Sequence, residues 1–209
     1  MAPPLHTPAA PNREVTDWRT CLPELTGGLV TLRELRASDA PALFAALTSE
    51  QVTRFISPPP ATVGGFERFV AWAIRQRQAG QYACFAVVPH GLDVPVGIFQ
   101  VGSLEPAFGA AEWGFALAAD FWGRGLFMDG ATLTVDFVFT ELGAYRLEAR
   151  AAVKNGRGTG ALRKLGAVQE AVLRRSFCRN GEYLDQALWT ILKTEWIQAK
   201  SVCRARIIH

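Results

Sequence analysis

The chain has 209 residues, of which 49% are hydrophobic and 20% charged, with a formal net charge of +3. That length suits a single domain with a full-sized core, and that hydrophobic share excludes a disordered segment. The slight charge provides no basic stripe of the kind nucleic-acid binding needs, although a mildly positive pocket would suit an anionic ligand.

The four cysteines, Cys21, Cys84, Cys178 and Cys203, lack the close pairs of zinc sites, and three histidines add no metal-ligand spacing. Reduced packing thiols and no metal are expected. Met1 to Pro11 is rich in Pro and Ala but shows no basic segment followed by an apolar run, so it does not read as a secretory signal. No apolar stretch is long enough for a membrane-spanning helix. The expectation is a cytoplasmic protein without nucleic-acid or membrane partners.

Residues 1–28 read as an extended arm holding Pro3, Pro4, Pro8, Pro11 and Pro23. Trp18 and Leu22 can pin its second half to the body. Alternation over Leu29-Val30-Thr31-Leu32-Arg33-Glu34-Leu35 predicts a first strand. Ser38 and Asp39 can cap a helix that tolerates Pro41 in its first turn and buries Leu43, Phe44 and Leu47. Pro58-Pro59-Pro60 breaks the backbone. A second helix follows, with Phe66, Phe69, Val70, Ala73 and Ile74 inward until Gly80, and with Arg68, Arg75 and Arg77 as its solvated face.

Two strand-like runs, 82–88 and 94–101, flank the short connection His90-Gly91-Leu92-Asp93, and a third at 110–117 continues the antiparallel meander. Phe121-Trp122-Gly123-Arg124-Gly125-Leu126 then turns into a helix over 126–142. Glycines there let backbone amides converge at a helix mouth, which is an anion site suited to phosphate. It is neither the Walker pattern nor the full dinucleotide spacing. A strand at 146–153 follows, so strand, helix and strand form a locally parallel pair. Asn155 closes that strand, and a short helix over 157–165 ends at Gly166. The last two strands, 168–178 and 183–192, are joined by Asn180-Gly181, a strong two-residue hairpin signal. One domain, 29–200, is expected between the arm and a tail at 201–209.

This order resembles the GNAT acetyltransferases. The phrases Leu32-Arg33-Glu34-Leu35-Arg36, Glu112-Trp113-Gly114-Phe115 before the glycine turn, Arg146-Leu147-Glu148-Ala149-Arg150 before Asn155, and Lys164-Leu165-Gly166 resemble its subfamily that acetylates ribosomal-protein N-termini. The likeness spans about residues 29–196. It implies an α/β (α+β) GNAT fold with a mixed, mostly antiparallel sheet of about seven strands, a splayed parallel pair and flanking helices. It also implies acetyl-CoA as acetyl donor. The exposed backbone of Phe115, Ala116 and Leu117 would pair with the pantetheine arm. The turn of Trp122, Gly123, Arg124, Gly125, Leu126 and Phe127 would hold the pyrophosphate, and Asn155, with Gly158 beside it, would bind the pantetheine amide. Departures from the pattern are Phe127 at a small-residue place, Gly158 where a Ser is frequent, Ala167 where an aromatic is frequent, and Leu162 where many relatives carry the tyrosine acid.

Acetyl transfer needs a neutral amine, a polarised carbonyl and protonation of the departing thiolate. Glu112, opening the strand beside the thioester, is the candidate base, against the plainer reading of a strand-end ion pair. Glu148 reads as part of an ion-pair ladder with Arg146 and Arg150. Thr159 is the candidate stand-in acid or else a helix cap, and Tyr183 and Asp185 are candidates for contacting the acceptor. The acceptor is expected to be a protein N-terminal or small-molecule primary amine, and the protein a monomer or homodimer. The alternatives are a non-catalytic acyl-CoA-binding sensor or scaffold, and an acetyltransferase acting on an antibiotic or polyamine.

Overall fold

The computed structural model describes residues 17–207, with side chains described to Val202. Eight strands form one sheet in the order β1-β2-β3-β4-β5-β6-β8-β7. They are β1 (Leu25–Thr26), β2 (Val30–Glu34), β3 (Tyr82–Pro89), β4 (Gly97–Ser103), β5 (Ala110–Leu117), β6 (Arg146–Ala152), β7 (Val168–Arg179) and β8 (Glu182–Leu192). The helices are α1 (Ala40–Leu47), α2 (Glu50–Thr53), α3 (Val63–Gln78), α4 (Leu126–Thr140), α5 (Gly156–Leu165) and α6 (Lys193–Ile207). All neighbouring strands run antiparallel except β5 and β6.

The sheet is covered on both faces. Ala83, Phe85 and Val87 of β3 point into the layer built with Val135, Val138 and Leu162 of α4 and α5, whereas Cys84, Ala86 and Val88 point into the layer of Leu43, Phe66 and Val70 from α1 and α3. A central strand buried on both sides has no polar alternation, which is why 82–88 reads as an apolar run. The β7–β8 turn has Asn180 at φ 50° and Gly181 at φ 79°. Both are left-handed, as the two-residue primed turn requires.

The structure departs from the sequence reading in three places. The strand count rises from about seven to eight because Leu25–Thr26 pairs with β2 through Leu25↔Leu32 and Thr26↔Thr31, a pairing too short to leave a periodicity. The second half of the expected arm is docked through Trp18 and Leu22, as the sequence allowed: both are buried, and Trp18 meets Phe108 edge-on with ring centroids 5.5 Å apart. Residues 1–16 lie outside the described residues. That docking corrects the reading of Arg77 as solvated, since its guanidinium is buried, pairs with Glu34 and donates to the backbone carbonyl of Arg19. Arg68 and Arg75 are exposed. Beyond residue 192 the chain forms α6, whose backbone continues past residue 200 into the expected tail. It is fixed to α4 by the Trp196 indole, which donates to Asp136 Oδ1 at 2.8 Å.

Candidate active site

The site begins where two strands part. β5 and β6 pair in parallel from Ala110↔Arg146 only to Glu112↔Glu148. β5 nevertheless stays paired with β4 as far as Leu117, and β6 with β8 as far as Ala152. Beyond Glu112 one edge of β5 therefore has no partner strand among the described residues. The Ala118 amide donates to Val96 O on the β4 side. By the alternation of an antiparallel ladder, the N–H and C=O groups of Trp113 and Phe115 point into the gap. The Leu117 carbonyl, on the same side, accepts from the Trp122 indole at 2.9 Å.

Below the gap, the chain turns into α4 through Gly123 at φ 75° and Gly125 at φ 83°, a region closed to most side chains. Among the described residues no side chain caps α4, so the amides of its first turn can meet a ligand, and the helix dipole favours an anion there. Asp129, in the same turn, would oppose an anion. Its carboxylate instead accepts from the amides of Gly28, Leu29 and Val30 at 3.1, 2.7 and 3.0 Å, which partly neutralises it and pins the start of β2.

Two clefts meet at the gap. One, of about 560 Å³, runs over the glycine turn and carries Arg54, Arg157 and Lys164 at its rim; the Arg157 guanidinium stacks 4.3 Å from the Trp122 ring centroid. The other, of about 670 Å³, lies on the α1/α3 face. Its floor is Tyr82, Gln100, Glu112, Arg150 and Gln186, and its roof is the 55–60 loop with Phe66 and Phe69. Phe55, Ile56, Phe115, Ala116, Asn155 and Gly158 line both clefts.

Of the residues expected at the cofactor, Phe115, Ala116, Leu117, Trp122, Gly123, Gly125, Phe127, Asn155 and Gly158 line the cleft over the turn. Arg124 and Leu126 do not: the Arg124 guanidinium lies over the Phe121 ring and the Leu126 side chain is buried in the core. Leu126 is thereby left with only its backbone to meet a ligand, whereas the Arg124 side chain stays exposed. The bulk of Phe127 leans on Phe115, with centroids 4.6 Å apart, and so is directed at the strand. Asn155 caps α5, its Oδ1 accepting from the Gly158 amide at 3.0 Å, which leaves its Nδ2 as a donor. A Cβ on residue 158 would stand 2.6 Å from that Nδ2, so Gly158 gives Asn155 its space.

The remaining candidates separate. Glu112 lines the cleft on the α1/α3 face, with Arg150 Nε 3.7 Å from its Oε1. Glu148 pairs with Arg146 at 2.7 Å, and Arg146 also holds Glu170 at 2.7 Å, so Arg150 leaves the expected ladder and turns to Glu112. Thr159 lines neither cleft; its hydroxyl donates to Asn155 O at 3.1 Å, a cap within its own helix. Tyr183 is exposed beside Arg175, and Asp185 accepts from the Arg175 amide at 2.7 Å. Neither faces the cleft, because side chains alternate along β8 and it is Gln186 that lines it, with Phe177 of β7. Tyr82, which donates to Gln100 Oε1 at 2.6 Å, joins the floor unannounced by any motif. Burial raises its pKa far above the ordinary tyrosine value, so it stays a neutral donor. The one available hint was Gly102 and Gly114 inside strands, since a strand glycine often marks close approach by a ligand.

Among the described residues, no group of three or more His, Cys, Asp or Glu side chains could hold a metal ion, and no helix is long and apolar enough to cross a membrane.

A splayed strand pair above a glycine-bearing helix mouth defines a protein that binds an acyl-CoA across its sheet. The GNAT acetyltransferase domain matches residues 30–168, and the chain belongs to that family. It is an acetyl-CoA-dependent acyltransferase. It is 26% identical over 168 residues to the uncharacterized N-acetyltransferase p20 of Bacillus licheniformis, covering 80% of this chain and 94% of that protein. A GCN5-related N-acetyltransferase of Brucella melitensis superposes with a TM-score of 0.74 at 26% identity, over 88% of this chain and 84% of that one. RimJ of Mycobacterium smegmatis, solved with CoA-disulfide, shares the fold with a TM-score of 0.73 at 20% identity, over 86% and 93% of the chains. The site here fits acetyl-CoA as donor. The unpaired β5 edge matches an amide-bearing arm, and free helix amides beside Arg157 and Lys164 match its phosphates.

Proposed function

We propose that this protein transfers an acetyl group from acetyl-CoA directly to a primary amine, with Glu112 accepting the amine's proton, directly or through water. The observation carrying this reading is that, among the described residues, Glu112 is the only carboxylate lining the cleft on the α1/α3 face, the acceptor side in this reading, and that it stands at the last paired position before β5 and β6 part. A base there lies beside the reacting carbon of a donor whose arm follows the β5 edge.

Bound acetyl-CoA supplies a thioester: the amide N–C bond forms as the C–S bond breaks, the electron pair leaves on sulfur, and the amine's proton passes to Glu112. The chain's own groups bind and orient. The Phe115 backbone pairs with the pantetheine arm, Asn155 Nδ2 donates to an arm carbonyl, and the amides from Gly123 to Phe127 hold the pyrophosphate. A departing thiolate with a pKa near the cysteine value of about 8.5 takes its proton readily from water near neutral pH, so a dedicated strong acid is unnecessary. The fully buried Leu162 and the self-capping Thr159 agree with that. An α-amine with a pKa of about 8 gives up its proton more readily than a lysine near 10.4 and is the easier acceptor.

The test follows N-acetylated product by mass spectrometry with acetyl-CoA and a panel of primary amines. Glu112→Gln should lower kcat by about 10²-fold or more, in the range of general-base removal, while calorimetric acetyl-CoA binding persists. A Glu112→Gln variant keeping more than half of the wild-type kcat would remove the base from this carboxylate.

A further inference from the structure

The charges of the acceptor-side cleft restrict what it can take. Among the described residues Glu112 is its only anionic and Arg150 its only cationic side chain; the rest of the lining is apolar or uncharged, with Leu47, Phe55, Ile56, Phe66, Phe69 and Ile98 forming one greasy wall. Gly102 and Gly114 keep the floor low between that wall and Glu112. The Arg150–Glu112 contact is long, at 3.7 Å, and its side chains remain 42% and 35% exposed. A contact of that kind is weak and readily exchanged for other partners. No other ion pair of Arg150 is present among the described residues, since the neighbouring acids Glu148 and Glu170 are both held by Arg146.

From this we infer that the acceptor is an α-amino acid with an apolar or aromatic side chain, bound with its amine toward Glu112 and its carboxylate toward Arg150. The inference rests on the transferase reading above. A polycationic amine would need several carboxylates and would meet Arg150 as a repelling charge. A plain hydrophobic amine would engage Glu112 alone and forgo the charge-assisted contact that the half-exposed Arg150 guanidinium offers. An α-amino acid carries both charges on one carbon, so a single small molecule replaces each half of the ion pair. A guanidinium is also the side chain best matched to a carboxylate. Its side chain then enters the apolar wall, where each buried group favours binding.

The experiment measures kcat/KM for L-phenylalanine, L-phenylalaninamide, a peptide beginning with phenylalanine, and spermidine, in the wild type and in Arg150→Gln and Arg150→Lys. Acetyl-CoA binding by calorimetry serves as the check that each variant is folded. L-phenylalanine should be preferred to its amide by at least tenfold. Because the amide also changes amine basicity, the decisive figure is the ratio between the two substrates, which should fall at least tenfold in Arg150→Gln and recover in part in Arg150→Lys. An unchanged ratio, or a peptide or spermidine used better than L-phenylalanine, overturns the inference while leaving acetyl transfer intact. A wild type that binds acetyl-CoA and acetylates none of the four overturns it, and if the wider amine panel also fails, the transferase reading falls as well.

Discussion

Asn155 holds two jobs on opposite atoms of one amide, and substitutions can separate them. Its Oδ1 accepts from the Gly158 amide at the start of α5, while its Nδ2 is free where the two clefts meet. Removing an N-cap side chain costs about 1 kcal/mol, whereas Asp caps as well as Asn does. Asn155→Asp should therefore be as stable as the wild type, and Asn155→Ala should melt about 2–4 °C lower, the shift about 1 kcal/mol gives in a domain of this size. Donor affinity should order differently. Losing the Nδ2 donor leaves a buried carbonyl of the ligand unpaired, at about 1–3 kcal/mol, which is roughly 5- to 150-fold in Kd. Aspartate sets an anion against that carbonyl and belongs at the upper end. The expected orders are wild type ≈ Asp > Ala for stability and wild type > Ala > Asp for acetyl-CoA affinity. Thermal melts without ligand and calorimetric titration measure the two separately. The same order in both assays, or wild-type affinity in Asn155→Asp, would show that Asn155 is a cap and nothing more.

Gly123→Ala and Gly125→Ala should each lose about 1–2 kcal/mol to left-handed strain, their φ values being 75° and 83°. Gly125→Ala should melt lower still, because its Cβ would stand 3.1 Å from Leu29 Cδ1 while nothing lies within 4 Å of a Cβ at 123; equal melting temperatures would show that Leu29 yields freely. The Arg146 guanidinium holds the Glu170 carboxyl below its ordinary pKa, chiefly through their hydrogen bonds. A folded pKa below the unfolded value of about 4.3 means a contribution fully present above that pH and lost as pH falls through the folded value. The melting difference between wild type and Glu170→Gln should thus be largest above about pH 5 and vanish in stronger acid; a difference that grows on acidification would contradict the pairing.

Legibility in the sequence followed the range of the cause. The Asn180-Gly181 turn, the glycines at 123 and 125 and the αL stop at Gly166 were readable because each depends on the φ values of one or two residues. The β5–β6 crossover was readable because strand, helix and strand in succession leave few arrangements. Asn155 was placed by resemblance, and its capping role is local. Arg77 was misread because nothing in α3 shows that Trp18 and Arg19 will close over it from about sixty residues away. Tyr183 and Asp185 were chosen on the wrong parity of β8: Gln186 faces the cleft, and which parity does so depends on the register of β8 with β6, set by Ala151↔Ala187 and Ala152↔Gln186.

By itself, then, the sequence determined the elements, the order in which they follow, the glycine-bearing helix mouth and the family, since these rest on local backbone preference and on patterns within a few residues. Only the tertiary structure decided that β5 and β6 part directly after Glu112, that the gap joins two clefts, and that Arg150 turns from Glu148 to Glu112. Those are distances between side chains on separate strands, and they exist only once the sheet has fixed its registers and the helices have covered its faces.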